Sequence, residues 1–360
     1  MTLDEISKLR LNNQQITQKQ FKQPGEVVKW MGAIQAQDLN MAKWAIGVRL
    51  SGALENDIDK AIDQGRIIRT HILRPTWHFV AAEHLHPLLL LSAPRIKAAT
   101  QSRNRQLGID ERLIKKTKRI IEKQILNNGH ALRQELVTEF GKAKINLGDN
   151  MAAHLLMEAE IDGFICSGKL KNGNHTYALT DERIPKTSIH NKEEALALVS
   201  KLYFRSHGPA TVNDFAWWSG LTIKESRLGI DLIKKDMHSF KINTDEYWYY
   251  EHNTITTVSH DRIDLLPAYD ELIVAYKNRA SLIPNKNIER IILRNGIFKP
   301  VIIKNGKTIG VWKRNTIKGI LHIEYQLFNN TNNRKIEIHR NFEKYGAFTG
   351  KGIEKIELYQ

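Results

Sequence analysis

The chain of 360 residues has one cysteine, Cys166. This excludes an intramolecular disulfide, a multi-cysteine zinc site and an iron–sulfur cluster. In Gly163-Phe164-Ile165-Cys166 the thiol reads as a small core residue of a strand. Nor is there a run of 18 apolar residues, and the polar, mixed-charge stretch Met1 to Ile16 lacks a basic-then-apolar leader, so no membrane partner and a cytoplasmic location are expected. The 14 histidines are scattered, and His84 with His86 has no third ligand near in sequence, so no metal is expected. Gly-x-x-x-x-Gly-Lys-Ser/Thr, Gly-x-Gly-x-x-Gly, Gly-x-Ser-x-Gly and His-Glu-x-x-His are all missing. The nucleotide, dinucleotide, serine-hydrolase and zinc-protease templates they stand for are removed, and no cofactor is expected.

Acidic residues are also in deficit. Lys plus Arg number 54 against 39 Asp plus Glu, a formal charge of +15 and a pI near 9.6. Such a surplus suits an acidic polymer or surface, whether DNA, RNA or membrane. Length and a hydrophobic content of 41% allow two or three domains with cores of their own.

Against this background one stretch stands out, Trp30-Met31-Gly32-Ala33-Ile34-Gln35-Ala36-Gln37-Asp38-Leu39-Asn40-Met41, where two glutamines interrupt an apolar run. Val27, Val28, Met31 and Ile34 recur at helical spacing before it, and Met41, Ala42, Ala45 and Ile46 after it. On one continuous helix Gln35 and Gln37 would diverge, whereas in an extended segment residues i and i+2 share a face. The helix is therefore predicted to break here, with Asp38 or Asn40 capping the next one. The pair is then either an inter-helix corner whose amides tie down loop backbone or a pair of amides presented to a ligand.

Three stretches of the chain repeat one order of elements. Helices near 3–9, 26–34, 41–50 and 54–64 lead, past Gly65 as a left-handed cap, to a hairpin at Arg66 to Val80 folded near Arg74-Pro75. After a basic helical connector, Pro94 to Gln106, come a helix capped by Asp110, one near Leu132 to Phe140, and one capped by Asp149 through Ile161. A hairpin with Asn172-Gly173 at its turn closes that unit. The third unit runs Lys192 to Arg205, Thr211 to Ser219 and Thr222 to Lys235, with a Thr222/Glu225 capping box, and then Phe240 to Tyr250 as a hairpin. Three helices and a two-stranded wing, three times over, predict an α+β chain of three tandem winged-helix units, 1–93, 94–185 and 186–262. A β-rich C-terminal domain, 263–360, follows, with strands at Pro300 to Lys304, Lys307 to Lys313, Ile320 to Phe328, Lys335 to His339 and Ile353 to Leu358.

The first hairpin places Arg69, His71 and Leu73 on one face of its leading strand, with Arg74, Trp77 and His78 returning beside it. Cations and rings together suit DNA, where they meet phosphate and replace lost stacking, and they also suit an ordinary half-buried hairpin. Asp261, Asp264, Asp270 and Glu271 cluster around Leu265-Leu266-Pro267 and read as turn and cap residues.

Five motifs in order carry a resemblance. These are Gln35-Ala36-Gln37-Asp38, the Arg69-Thr70-His71 to Trp77-His78 hairpin, His207-Gly208-Pro209-Ala210-Thr211 with Trp218-Ser219-Gly220-Leu221, Leu265-Leu266-Pro267-Ala268-Tyr269-Asp270, and Gly310-Val311-Trp312-Lys313-Arg314. Together they resemble the winged-helix DNA glycosylases of the AlkZ and YcaQ type over nearly the whole chain. The resemblance implies a C-shaped channel for double-stranded DNA, a monofunctional glycosylase acting on cationic N7- or N3-alkylated purines, and Gln35 and Gln37 as its catalytic motif. Arg69, His71, Arg74, Trp77 and His78 of the basic, aromatic hairpin are expected to bind DNA, and a monomer associated with the nucleoid is expected. The glutamine form leans towards interstrand crosslinks and bulky adducts. The competing class is a non-catalytic winged-helix transcription regulator, which would prefer one sequence and often bind as a dimer at paired half-sites.

Overall fold

The computed structural model describes residues 1–148, 150–185, 188–189, 191–250, 262–328 and 334–359. After α1 (Leu3–Asn13) come α2 (Pro24–Met31), β1 (Ile34–Gln35), α3 (Leu39–Gly47), α4 (Glu55–Asp63), β2 (Ile67–Ile72) and β3 (Thr76–Ala81). Proline at its first turn starts α2 and Gly32, at φ 78°, stops it. The chain then runs extended through β1 until Asp38 Oδ1 accepts the Met41 N–H at 3.0 Å and opens α3, a cap typically contributing about 1 kcal/mol. The break predicted at the glutamines is therefore present, and of the two predicted caps Asp38 is the one used.

A long helix, α5 (Leu85–Gln106), leads to α6 (Glu111–Asn128), β4 (Ala131–Leu132), α7 (Arg133–Lys142), α8 (Met151–Ile161), β5 (Ile165–Ser167) and β6 (Thr176–Leu179). The predicted connector starts too late, because Pro94 is accommodated inside α5 rather than at its start. Asp149, predicted to cap α8, lies outside the described residues, as does Asp261. Next come α9 (Thr180–Arg183), α10 (Lys192–His207), β7 (Ala210–Thr211), α11 (Val212–Ser219), α12 (Ile223–Ile233), β8 (Met237–Ile242) and β9 (Asp245–Tyr250). The order helix, short strand, helix, helix, hairpin thus occurs three times. Each time the short strand pairs antiparallel with the last strand of the hairpin, giving the sheet orders β1-β3-β2, β4-β6-β5 and β7-β9-β8.

The rest is β10 (Ile263–Leu266), α13 (Glu271–Val274), α14 (Ile288–Ile291), β11 (Val301–Lys304), β12 (Lys307–Ile317), β13 (Ile320–Leu327), α15 (Lys335–Thr349) and β14 (Ile353–Leu358). These strands form one five-stranded sheet, β10-β11-β12-β13-β14, antiparallel except for its last pair. The strand expected at Lys335 to His339 is instead the first turn and a half of α15. A parallel β13–β14 pair needs a crossover, and α15 supplies it, burying Ile338, Phe342 and Tyr345 against β10 and Trp312.

Packing separates the middle stretch from the rest. Ile121, Ile125, Leu136, Phe140, Leu156 and Ile165 form a core of their own, whereas the first hairpin, α10 to α12 and the C-terminal sheet share one large core. Trp77 packs against both. Buried charge stitches the large core. Arg49 makes a two-pronged bond to Asp270 at 2.8 and 2.9 Å, both side chains fully buried. Removing either partner would strand the other and cost about 3–5 kcal/mol.

Candidate active site

The segment from Gln35 to Asp38 leaves the edge of β3, and the peptides on both sides of Ala36 are held. Gln35 lies opposite His78 in register, and the Ala36 N–H donates to the Trp77 carbonyl at 2.7 Å. From the other side Arg69 donates Nε and Nη2 to the Ala36 carbonyl at 3.0 and 2.9 Å, while its guanidinium lies 4.1 Å over the Trp77 ring. Burial lowers the Arg69 pKa to about 10, still far above neutrality, so the cation persists. Its charge is directed at the peptide between the two glutamines, and the side chain has little surface to offer a polymer.

Beneath Gln35 is Glu271, the first residue of α13, 1% exposed. The Gln35 N–H donates to its Oε1 at 2.7 Å, and the Trp218 indole N–H donates to its Oε2 at 3.0 Å. The His207 Nε2 lies 3.4 Å from the same Oε2. Burial pushes the Glu271 carboxyl up, but the His207 contact, the nearby His78 and the Gln35 N–H together outweigh it, and the pKa lies below the ordinary value. His207, in turn, is pulled below the imidazole range by its own burial. A carboxylate and a neutral imidazole thus stand side by side without an aligned hydrogen bond, while Nδ1 pairs with the Ser206 hydroxyl at 2.8 Å. His207 also stacks on Tyr203 with ring centroids 4.9 Å apart and planes at 10°.

The two glutamines differ. Gln35 is 7% exposed and its Oε1 lies 3.4 Å from Arg74 Nη2, whereas Gln37 is exposed and its Oε1 lies 3.4 Å from the Trp77 N–H. Both contacts are longer than an ordinary hydrogen bond, so the amides are oriented without being locked. Arg74 comes from the β2–β3 turn, which needs Leu73 at φ 60°. Gly220 packs under that turn at φ 72°, and a Cβ there would lie 2.6 Å from the Leu73 carbonyl oxygen. That contact gives Trp218-Ser219-Gly220 a structural meaning that its sequence alone did not.

Of the other predicted residues, His71 pairs its Nδ1 with Glu160 Oε2 at 2.6 Å, and its ring lies 4.1 Å from Trp77. Glu160 is fully buried and its carboxyl is pushed up by burial. His78, 1% exposed, binds the Thr76 carbonyl through Nδ1 at 2.9 Å, and burial drops its pKa to about 4. It is a neutral core residue under Gln35. Arg74 and Trp77 keep partial exposure. Sequence reasoning grouped Glu271 with turn and cap residues. The only signal for its role was position, directly after Tyr269-Asp270 in a motif that the resemblance quoted. Trp217, 39% exposed with Arg74 and Arg279 each 5.4 Å from its ring, was not singled out at all.

Chemically, the segment offers two amide carbonyls, one exposed, beside a buried and fully engaged carboxylate. Asp38, the exposed carboxylate next in sequence to Gln37, has its Oδ1 committed to the α3 cap. Such a site can orient water and a sugar, but its amides cannot accept a proton outright at neutral pH.

Three comparisons bear on this arrangement. An interstrand DNA cross-link repair glycosylase of Streptomyces sahachiroi is 22% identical over 321 residues, covering 82% of this chain and 85% of that protein. The solved structure of the Streptomyces sahachiroi DNA glycosylase AlkZ has the same fold, with a TM-score of 0.80 at 18% identity and full coverage of both chains. A model of the AlkZ-like DNA glycosylase family matches residues 28–348, which include both glutamines, Glu271 and the first hairpin, and the chain belongs to that family.

Proposed function

We propose that this chain hydrolyses the N-glycosidic bond of N7- or N3-alkylated purines in duplex DNA, and that its substrates include interstrand crosslinks. The observation that carries the site assignment is the three-sided grip on Gln35-Ala36-Gln37 by Glu271, Arg69 and Trp77. A segment held this firmly, yet ending in an exposed amide, is suited to positioning more than to proton transfer. That matches the reaction. An alkylated purine already carries positive charge, so its C1′–N bond breaks with the electron pair neutralising the base. Water adds to the oxocarbenium-like C1′ and releases its proton to solvent. Gln37 accepts a hydrogen bond from that water and Gln35 fixes the water or the deoxyribose.

The three repeated units are read as tandem winged helices, divided at 1–93, 94–185 and 186–262, with 263–360 as the C-terminal domain, together lining a C-shaped channel for DNA. Arg74, Trp77 and His71 are the hairpin residues placed to meet it, with Arg69 and His78 supporting the glutamines from within. Lys29 and Lys43, which flank the motif, are engaged by Glu83 at 2.6 Å and by Asp59 at 2.6 Å, and a monofunctional mechanism without a lysine adduct is the reading they support. The protein acts as a cytoplasmic monomer on the nucleoid.

The test is release of free base from one duplex carrying N7-methylguanine and from another carrying an N7–N7 guanine crosslink. Wild type releases base and the Gln35→Ala, Gln37→Ala double variant does not, while both bind duplex equally. No release from either, with tight binding to one undamaged sequence, would move the assignment to a regulator.

A further inference from the structure

Three side chains beside Gln35 form a group that the chemistry above does not use. Arg74, from the first hairpin, and Arg279, from the segment that follows α13, each hold a guanidinium 5.4 Å from the ring of Trp217, which α11 carries 39% exposed. Arg74 Nη2 is also 3.4 Å from Gln35 Oε1, so the group adjoins the amide assigned to the water or the deoxyribose.

The group is anchored. The Trp217 indole N–H donates to the Val274 carbonyl at 2.9 Å, and Arg279 Nε donates to the Ile273 carbonyl at 2.8 Å. Both acceptors belong to α13, the short helix that also seats Glu271 under Gln35. The ring then offers both guanidiniums one attractive surface, within the reach of a cation–π contact.

Among the described residues, neither cation has a carboxylate of its own. Arg74 feels the charge of Glu271, and Arg279 that of Asp214. Both carboxylates are buried and taken by other donors. Glu271 holds the Gln35 and Trp218 N–H groups, and Asp214 holds the N–H groups of Thr211, Lys277 and Asn278 with Arg10 at 3.6 Å. Arg74 Nε and Arg279 Nη2 find no protein acceptor. Burial, with Arg74 adding to it, lowers the Arg279 pKa to about 10, so it stays charged at neutral pH. Two partly buried cations at one ring repel each other and call for an anion.

The proposed substrate brings one. An alkylated purine is itself cationic and is repelled by two guanidiniums, whereas the deoxyribose at Gln35 carries a phosphodiester on either side. Arginine matches such a group with paired N–H donors. We propose that Arg74 and Arg279, at the two contacts on Trp217, form a subsite for a phosphodiester adjoining the damaged nucleotide, Arg74 by direct hydrogen bonds and Arg279 through its charge. The inference rests on the glycosylase reading and deepens it. With the phosphate in place the two positive charges are compensated. Without it they face an oxocarbenium-like sugar of the same sign, so the loss falls on the chemical step as well as on binding.

The test neutralises the phosphate and leaves the protein intact. A strand with one guanine, methylated at N7, carries a single methylphosphonate at the linkage 3′ to the lesion, 5′ to it, or several nucleotides away. Wild type is expected to release base about tenfold or more slowly at saturation when one of the two adjoining linkages is neutral, the scale of a charge-assisted hydrogen bond, and within about twofold when the distant one is. Arg74→Gln and Arg279→Gln are slower on the all-phosphate duplex but lose that sensitivity, and Arg74→Lys and Arg279→Lys keep part of it. Fluorescence anisotropy on the same duplexes reads the coupling in any variant too slow for release. Equal wild-type rates on all linkages, or a fall of the same size in wild type and both Gln variants, would overturn the subsite while leaving the glycosylase standing. A wild type that releases no base from the all-phosphate duplex would overturn both.

Discussion

Replacing Glu271 with glutamine keeps the shape of the side chain and removes one acceptor. The carboxylate takes the Gln35 N–H on one oxygen and the Trp218 indole N–H on the other. A glutamine carbonyl can serve one of them, and its NH2 must then face the other donor. An unmatched buried donor costs about 1–3 kcal/mol, and the bond that survives loses its charge assistance. Relief of the buried charge offsets part of this, so the net loss is about 1–3 kcal/mol. If the unmatched donor is the Gln35 N–H, β1 shifts, and a misplacement of about 1 Å can lower a rate about 100-fold. Glu271 is a positioning residue in this reasoning, so duplex affinity should hold while chemistry fails.

The assay is single-turnover release of N7-methylguanine alongside fluorescence anisotropy on the same duplex and a thermal melt. Acid supplies a second readout. The folded pKa of Glu271 lies below its ordinary 4.5, so its ionisation contributes stability that is complete above 4.5 and lost as pH falls through the folded value. The variant lacks that loss, and its melting temperature should converge on the wild type in acid. Wild-type rates and melting in Glu271→Gln would refute the role assigned to it, and binding that fell with the rate would make Glu271 a fold residue only.

Three further outcomes follow from the same geometry. His78 is buried with a pKa near 4 against 6.5 in the unfolded chain. Its contribution is therefore complete above pH 6.5 and falls by about 3 kcal/mol as pH drops towards 4, since the unfolded chain binds the proton first. His78→Asn should flatten the melting curve across that window, and an unchanged slope would place the titration elsewhere. Gly220→Ala sets a Cβ 2.6 Å from the Leu73 carbonyl at φ 72° and should cost at least about 1–2 kcal/mol. Because the same turn carries Arg74, base release should fall with it, which a melt and a release assay together would show. Duplex binding should weaken steeply with salt, log Kd rising linearly with log salt as counterions are reclaimed, and a shallow slope would count against a basic channel.

Local signals in the sequence predicted the local structure well. Asn172-Gly173 and Asn305-Gly306 adopt the positive φ values their hairpins need, Thr222 and Glu225 form the predicted capping box, and Gly65 is left-handed. Each depends on residues a few positions apart. What failed depended on distant partners. Lys335 to His339 alternates like a strand and is helical, because the fate of that segment is decided by the parallel strand pair it must bridge. Arg69 and His78 look like surface residues of a wing and are buried, because β1 pairs along one edge of the hairpin and Ser167 of the second unit meets the other. Glu271 is separated from Gln35 by 236 positions, and no spacing rule reaches that far.

That long-range contact also explains why an amide can stand where a carboxylate would be the stronger base. Gln37 is exposed on a strongly basic protein meant for a polyanion, and a carboxylate there would be repelled by the phosphates it must approach. An amide carries no such penalty, yet it is a weak acceptor whose value depends on being held in place. The charge has been moved one layer down. Glu271 keeps it at 1% exposure, screened from the nucleic acid and matched by Trp218 and His207, and converts it into a fixed position for the Gln35 peptide. Arg69 does the same with positive charge on the Ala36 carbonyl. The ions of this site set the position of the amides, and in the proposed reaction, where the base is already cationic while bonded and leaves neutral, the amides need only hold the water and the sugar.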